Sequence, residues 1–233
     1  MTIAYAFNKS CHLKKWYLTN IRFIFFLLSI LIFSSCDQNK PAKAVDNQQE
    51  THKTFTILAL GDSLTEGLGV AEKDNYPSQL QTKLAENIQV INAGLSGETS
   101  SGLKNRLNWV LKQKPDLVIL NIGANDAMRG LPIELTQTNI DEIITTIKQS
   151  NADVILAGMQ IYENLGKGYV NKFIQLYPTL AQKHKIPLIP FFLQHVAGNP
   201  EYNQKDMLHP NALGYKIIVE QNILPLLSEY LKP

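Results

Sequence analysis

Phe55-Thr56-Ile57-Leu58-Ala59-Leu60 runs without a charge into Gly61-Asp62-Ser63-Leu64. A strand with one wet face alternates in polarity, whereas a continuous apolar run of this length fits a strand covered on both faces. Short apolar runs recur at 88–91, 117–122, 154–159 and 186–190, several of them continuous in the same way. Between them lie stretches of helical character at 76–86, 101–112, 134–149, 170–184 and 212–230. Pro77 and Pro210 suit helix starts, because proline is tolerated in a first turn. Lys114-Pro115 and Lys185-Ile186-Pro187 punctuate helix-to-strand returns. This alternation implies an α/β fold, a parallel sheet with helices on both sides. Right-handed crossovers then put every strand-to-helix loop on one edge, where open sheets of this type bind ligands.

The unusual residues fall on that edge. Gly61-Asp62-Ser63 follows the first run, Asn92-Ala93-Gly94 the second, Gly123-Ala124-Asn125-Asp126 the third and Met159-Gln160-Ile161-Tyr162 the fourth. Asp206 and His209 lie between the last strand and the last helix. Far apart in sequence, these groups are expected to converge in space.

The chain has 233 residues and 45% hydrophobic content, enough for one well-buried domain. The expected organisation is an export signal over 1–35, a polar tether over 36–53 and a folded domain over 54–233. Lys9, Lys14, Lys15 and Arg22 make a basic start, and no acidic residue precedes Asp37. The apolar run 23–33 is shorter than the ~20 residues of a membrane span and suits a signal-peptide core. Phe33-Ser34-Ser35-Cys36 resembles a bacterial lipobox, which implies acylation of Cys36 and its exposure as the mature N-terminus. A signal anchor that is never cleaved is the alternative. Asp37 after Cys36 resembles the signal that holds lipoproteins at the inner membrane of some Gram-negative bacteria, so the expected location is the cell envelope, facing the periplasm. Removal of the signal takes four of the 22 basic residues and none of the 20 acidic ones, leaving a slightly acidic chain with no footprint for nucleic acid. Cys11 goes with the signal, so the exported domain has no free cysteine and needs no disulfide.

A serine hydroxyl needs a base to become a nucleophile, and the base needs an orienting partner. Ser63 sits at a strand-to-helix turn, where the plain alternative is a helix N-cap. Asp206-Met207-Leu208-His209-Pro210 precedes a long helix. A carboxylate three residues before an imidazole can reach Nδ1–H and leave Nε2 outward; a capping aspartate beside a surface histidine is the plain alternative. His52, His184 and His195 have no comparable setting and carry no assigned role. An attacked ester develops negative charge on its carbonyl oxygen, and a donor waiting there is worth about 3–4 kcal/mol. The candidates at this edge are the Ser63 N–H, the Gly94 N–H and the Asn125 side-chain amide. In isolation the glycine and the asparagine read as ordinary turn residues.

Taken together, Gly61-Asp62-Ser63-Leu64, Gly94, Gly123-x-Asn125-Asp126 and Asp206-x-x-His209-Pro210 resemble the four ordered blocks of the SGNH, or GDSL-type, hydrolase family. The resemblance covers 55–231. It implies a three-layer α/β/α sandwich around a parallel five-stranded, flavodoxin-like sheet. It also implies a Ser63–His209–Asp206 triad with an oxyanion hole from Ser63, Gly94 and Asn125. Leu95-Ser96-Gly97-Glu98-Thr99, residues 125–132 and residues 187–193 are most similar to the arylesterase, thioesterase and lysophospholipase subgroup. Met207-Leu208 departs from the Gly-Ile common there, with the spacing intact.

The activity the resemblance implies is hydrolysis of acyl esters and thioesters. Met159, Ile161, Tyr162 and Phe192 are candidate walls of an acyl pocket, with core packing as the plain alternative for each. A carbohydrate O-acetylesterase of the same fold and a non-catalytic binding lipoprotein are the other readings. The first finds no obvious aromatic platform or appended sugar-binding module, and the second is opposed by the retention of Ser63 and His209. No metal or cofactor is expected, since there is no HExxH, no histidine cluster and no cysteine ligand set. The expected partners are a small-molecule or lipid ester and, through the anchor, a membrane.

Overall fold

The computed structural model describes residues 54–231. The readings placed on the signal, on Cys36 and on the tether lie outside the described residues.

β1 (Phe55–Gly61), β3 (Leu117–Asn121) and β4 (Asp153–Ala157) form the heart of a five-stranded parallel sheet, with β2 (Ile88–Gly94) and β5 (Leu188–Ile189) at its edges. The order β2-β1-β3-β4-β5 is that of flavodoxin-like sheets. Ile57, Leu58, Ala59 and Leu60 are all fully buried, and so is every residue of β3. This is why those runs carry no polar alternation. β2 is half-buried, as an edge strand covered less completely. The second strand reaches further than its apolar run: Asn92, Ala93 and Gly94 stay in register with Ala59, Leu60 and Gly61, so Gly94 closes the strand rather than following it. β5 is shorter than the run 186–190. Pro187 and Pro190 flank it, and neither can donate to a ladder.

Helices α3 (Ser100–Val110), α5 (Ile133–Gln149) and α6 (Lys167–His184) pack side by side in one layer. In α5 the buried Ile133, Ile140, Ile143, Ile144 and Ile147 repeat at helical spacing and form its core stripe. Helix α2 (Tyr76–Gln81) packs with α7 (Ala212–Ile217) in a second layer. The stretch 212–230 is not one helix: a π-helical turn, Ile218–Ile223, separates α7 from α8 (Leu224–Tyr230). Pro225 has no N–H to return to Gln221, and the wider turn sits just before it. Pro77 lies in the first turn of α2, but Pro210 lies just outside α7, whose cap is Asn211.

Two single-turn helices, α1 (Ser63–Glu66) and α4 (Ala124–Met128), start directly at the carboxyl ends of β1 and β3. This is the point at which the strand order reverses, and it is where a crevice opens.

Candidate active site

The first strand delivers Ser63 to the crevice. Asp62, not Ser63, caps α1: its Oδ1 accepts the Leu64 N–H at 3.0 Å. Ser63 is therefore the first residue inside the helix. Its hydroxyl is free of capping, and its own N–H has no protein partner among the described residues. Gly61 pairs with Gly94 on one side and Asn121 on the other, and a Cβ there would stand 2.1 Å from the Asn121 carbonyl oxygen. Only glycine lets the two strands close at the foot of α1.

The last loop delivers the histidine. Asn203 and Pro210 form an isolated antiparallel bridge, and the Gln204 N–H donates to the His209 carbonyl at 2.8 Å. The loop between them is tight enough to place Met207 in the left-handed region, at φ +59°. His209 Nε2 lies 2.9 Å from Ser63 Oγ, and Asp206 Oδ2 lies 2.7 Å from His209 Nδ1. Asp206 Oδ1 accepts the Leu208 and His209 N–H groups at 2.9 and 3.1 Å. Asp206 caps no helix. Partial burial opposes its charge, but these three hydrogen bonds and the imidazole outweigh that and hold its carboxyl down at about 2. Of the other described histidines, His184 pairs with Asp141 at 2.6 Å, between α6 and α5.

The third strand delivers Asn125. Gly123 caps α4 at φ +117°, which turns the chain so that Asn125 lines the crevice. Its Nδ2 reaches Asp62 Oδ2 at 3.4 Å. Asp62 is a buried carboxyl that sequence reasoning passed over. Burial pushes it up to about 7, against the Leu64 N–H, the His209 charge and the Asn125 amide, which all favour its ionised form.

Gly94 is not placed to serve as a donor. Its N–H is already given to Asn92 Oδ1 at 2.9 Å, and a Cβ on it would meet the Glu66 backbone nitrogen at 2.1 Å. It is a packing glycine against α1. Three residues on, Gly97 sits at φ +75° in a turn closed by Glu98 N–H to Leu95 O at 3.1 Å. The Gly97 N–H has no protein partner among the described residues. The turn is braced by charge. Arg129 Nη2 donates to the Gly97 carbonyl at 2.7 Å, and Glu66 Oε2 accepts the Ser96 N–H at 2.8 Å. Arg106 grips the Glu98 carboxylate with two nitrogens, at 2.7 and 2.6 Å, and donates to the Ala93 carbonyl at 2.8 Å. In the sequence, Gly97 stands out as a glycine inside the polar turn Ser96-Gly97-Glu98 and as part of the stretch 95–99 that resembles the arylesterase and thioesterase subgroup.

Ser63, Asn125 and His209 open onto one pocket of about 630 Å³. Met159, Ile161 and Tyr162 line it, and Tyr162 also donates its hydroxyl to the Met207 carbonyl at 3.3 Å, joining two walls. Phe192 does not line it. The ring is fully buried and meets Tyr76 edge-on at 5.3 Å, while its neighbours Phe191 and Leu193 face the pocket. A residue between two pocket-facing neighbours points the other way, here into the core.

Residues 59–217 match the model of the GDSL-like lipase/acylhydrolase family. The chain belongs to this family. An arylesterase of Vibrio mimicus is 39% identical over 158 residues, spanning 66% of this chain and 79% of its own. The thioesterase 1/protease 1/lysophospholipase L1 of Escherichia coli K12 is 36% identical over 157 residues, spanning 67% and 76%. Among solved structures, the psychrotrophic esterase EstA of a Pseudoalteromonas species, inhibited by monoethylphosphonate, superposes with a TM-score of 0.71 at 32% identity. That likeness covers 76% of this chain and 98% of that one, so the shared part corresponds to nearly the whole of a solved chain. This GDSL-like acylhydrolase is an ester hydrolase with the α/β architecture expected from its strand runs. Among its described residues no helix is long and apolar enough to cross a membrane.

Proposed function

We propose that this hydrolase cleaves acyl esters and thioesters with Ser63 as nucleophile, His209 as general base and Asp206 as the group that orients it. The observation that carries the reading is the unbroken chain of short contacts from Ser63 Oγ through His209 to Asp206, opening on an apolar-walled pocket. His209 Nε2 takes the hydroxyl proton as Ser63 Oγ bonds to the acyl carbon. The Asp206 carboxylate, held ionised, stabilises the imidazolium that results. His209 then returns the proton to the leaving alcohol or thiol, and water repeats the sequence on the acyl-enzyme.

The negative charge on the carbonyl oxygen is met by the Ser63 N–H, the Asn125 amide and the Gly97 N–H. Gly97 takes the place expected of Gly94 because its N–H is unspent. Met159, Ile161 and Tyr162 hold the acyl group, in keeping with relatives named arylesterase and thioesterase. The domain works outside the cytoplasm, carried there by the signal over 1–35 and tethered through acylated Cys36 along residues 36–53. The inhibition of the related EstA by monoethylphosphonate supports an attackable serine.

Ser63→Ala tests the mechanism. It should abolish p-nitrophenyl ester hydrolysis, with a loss on the order of 10⁶-fold in kcat, and leave the melting temperature near that of the parent. Retained turnover would reject Ser63 as the nucleophile.

A further inference from the structure

Nine large apolar side chains are strongly exposed among the described residues, and eight of them lie at one end of the molecule. Leu68 follows β1, Leu95 follows β2, Met128 follows β3, Tyr162 and Leu165 follow β4, and Leu208 sits in the last loop. Every strand-to-helix connection therefore presents at least one. Leu135 and Leu213 lie in the first turns of α5 and α7, which begin at the same edge. Only Trp109, at the far end of α3, points elsewhere. Single exposed apolar residues are ordinary, but collection on one edge is not. Four of the eight, Met128, Tyr162, Leu165 and Leu208, also line the pocket.

We infer that the carboxyl edge of the sheet is a docking surface for a lipid layer, so that the enzyme draws acyl substrate directly from an aggregated lipid phase. The choice of occupant follows from the pocket. Its mouth lies among these residues, so a protein partner or a second copy pressed on them would close the route of entry. A fluid lipid surface covers the same apolar side chains and supplies the molecule that enters. The attachment is apolar, since the side chains concerned carry no charge, and it scales with the area they bury. The inference rests on the acyl-ester reading of the pocket.

The test is flotation of the domain 54–233, which lacks any anchor, with vesicles of zwitterionic phosphatidylcholine. The triple variant Leu68→Gln, Leu135→Glu, Leu213→Glu alters none of the pocket-lining residues. Acidic residues in the first turns of α5 and α7 suit the helix dipoles. The parent domain should float, and the triple variant should lose vesicle binding by roughly tenfold. Turnover of the dissolved ester p-nitrophenyl acetate should be unchanged, and Trp109→Gln should float like the parent. If the triple variant does not fold, Leu135→Glu alone should give a smaller loss in the same direction. Failure of the parent to float, or equal binding by parent and edge variants, overturns the inference. So does equal loss in Trp109→Gln, binding that requires anionic lipid and vanishes in salt, or sedimentation showing that the edge pairs two copies instead. Absence of ester turnover in the parent would reject the esterase reading while leaving the flotation result to stand by itself.

Discussion

Asp206 holds His209 at both its ring and its backbone: one carboxylate oxygen is 2.7 Å from Nδ1, and the other accepts the His209 main-chain N–H at 3.1 Å. The imidazole therefore has its orientation and its tautomer set by a single neighbour three residues away. The left-handed Met207 between them makes that approach possible.

Asp206→Asn should show what this grip contributes. An amide can present NH₂ to Nδ1 and stabilise the tautomer that has its proton on Nε2, where it cannot accept from Ser63. A loss of about 10⁴-fold in kcat is expected, with KM little changed. The carboxyl of Asp206 is held down at about 2, so a loss of activity between pH 5 and pH 4 should not come from that carboxyl. An unchanged kcat in Asp206→Asn would rule the arrangement out.

Much of this was legible in the sequence because it is local. The unbroken run 55–60 told of a strand buried on both faces, and Ile57 to Leu60 are indeed fully buried. The three-residue spacing of Asp206 and His209 foretold their contact, since a tight loop leaves few other ways to arrange them. The settings of Gly94 and Phe192 were not legible, because they depend on register and facing. Register with Gly61 keeps Gly94 in the sheet, and Phe192 turns inward to meet Tyr76. The charged brace around Gly97 joins Glu66 of α1, Arg106 of α3 and Arg129 at the end of α4, and no local pattern announces it.

Asp62 makes the stability of the domain depend on pH. In the unfolded chain its carboxyl ionises near the ordinary 3.8, whereas in the fold burial holds the proton until about 7. Between those values the folded state binds a proton that the unfolded state has released. Stability contributed by the neutral carboxyl is present below the unfolded value and lost as pH rises through the folded one. The parent should therefore show a falling urea midpoint from about pH 4 to about pH 7, and Asp62→Asn should lack that part of the slope. Parallel curves for the two proteins would contradict a proton held on Asp62.

Gly94, the last residue of β2, and Gly97, three residues beyond it, should fail in different ways. Alanine at 97 meets open space, with only Arg129 Nη2 at 3.7 Å, but must adopt φ +75°. That strain costs about 1–2 kcal/mol, so Gly97→Ala should keep a melting temperature within several degrees of the parent. Its turn will shift to relieve the strain and carry the N–H off the oxyanion, lowering kcat by about a hundred- to a thousandfold. Alanine at 94 has ordinary backbone angles but lands 2.1 Å from the Glu66 nitrogen. A main-chain atom cannot yield as a side chain does, so Gly94→Ala should lower the melting temperature sharply. The residual folded enzyme should bind substrate with a KM near the parent's. Thermal melts beside kcat and KM on one p-nitrophenyl ester separate the two. An inactive, fully stable Gly94→Ala with an active Gly97→Ala would return the oxyanion role to Gly94.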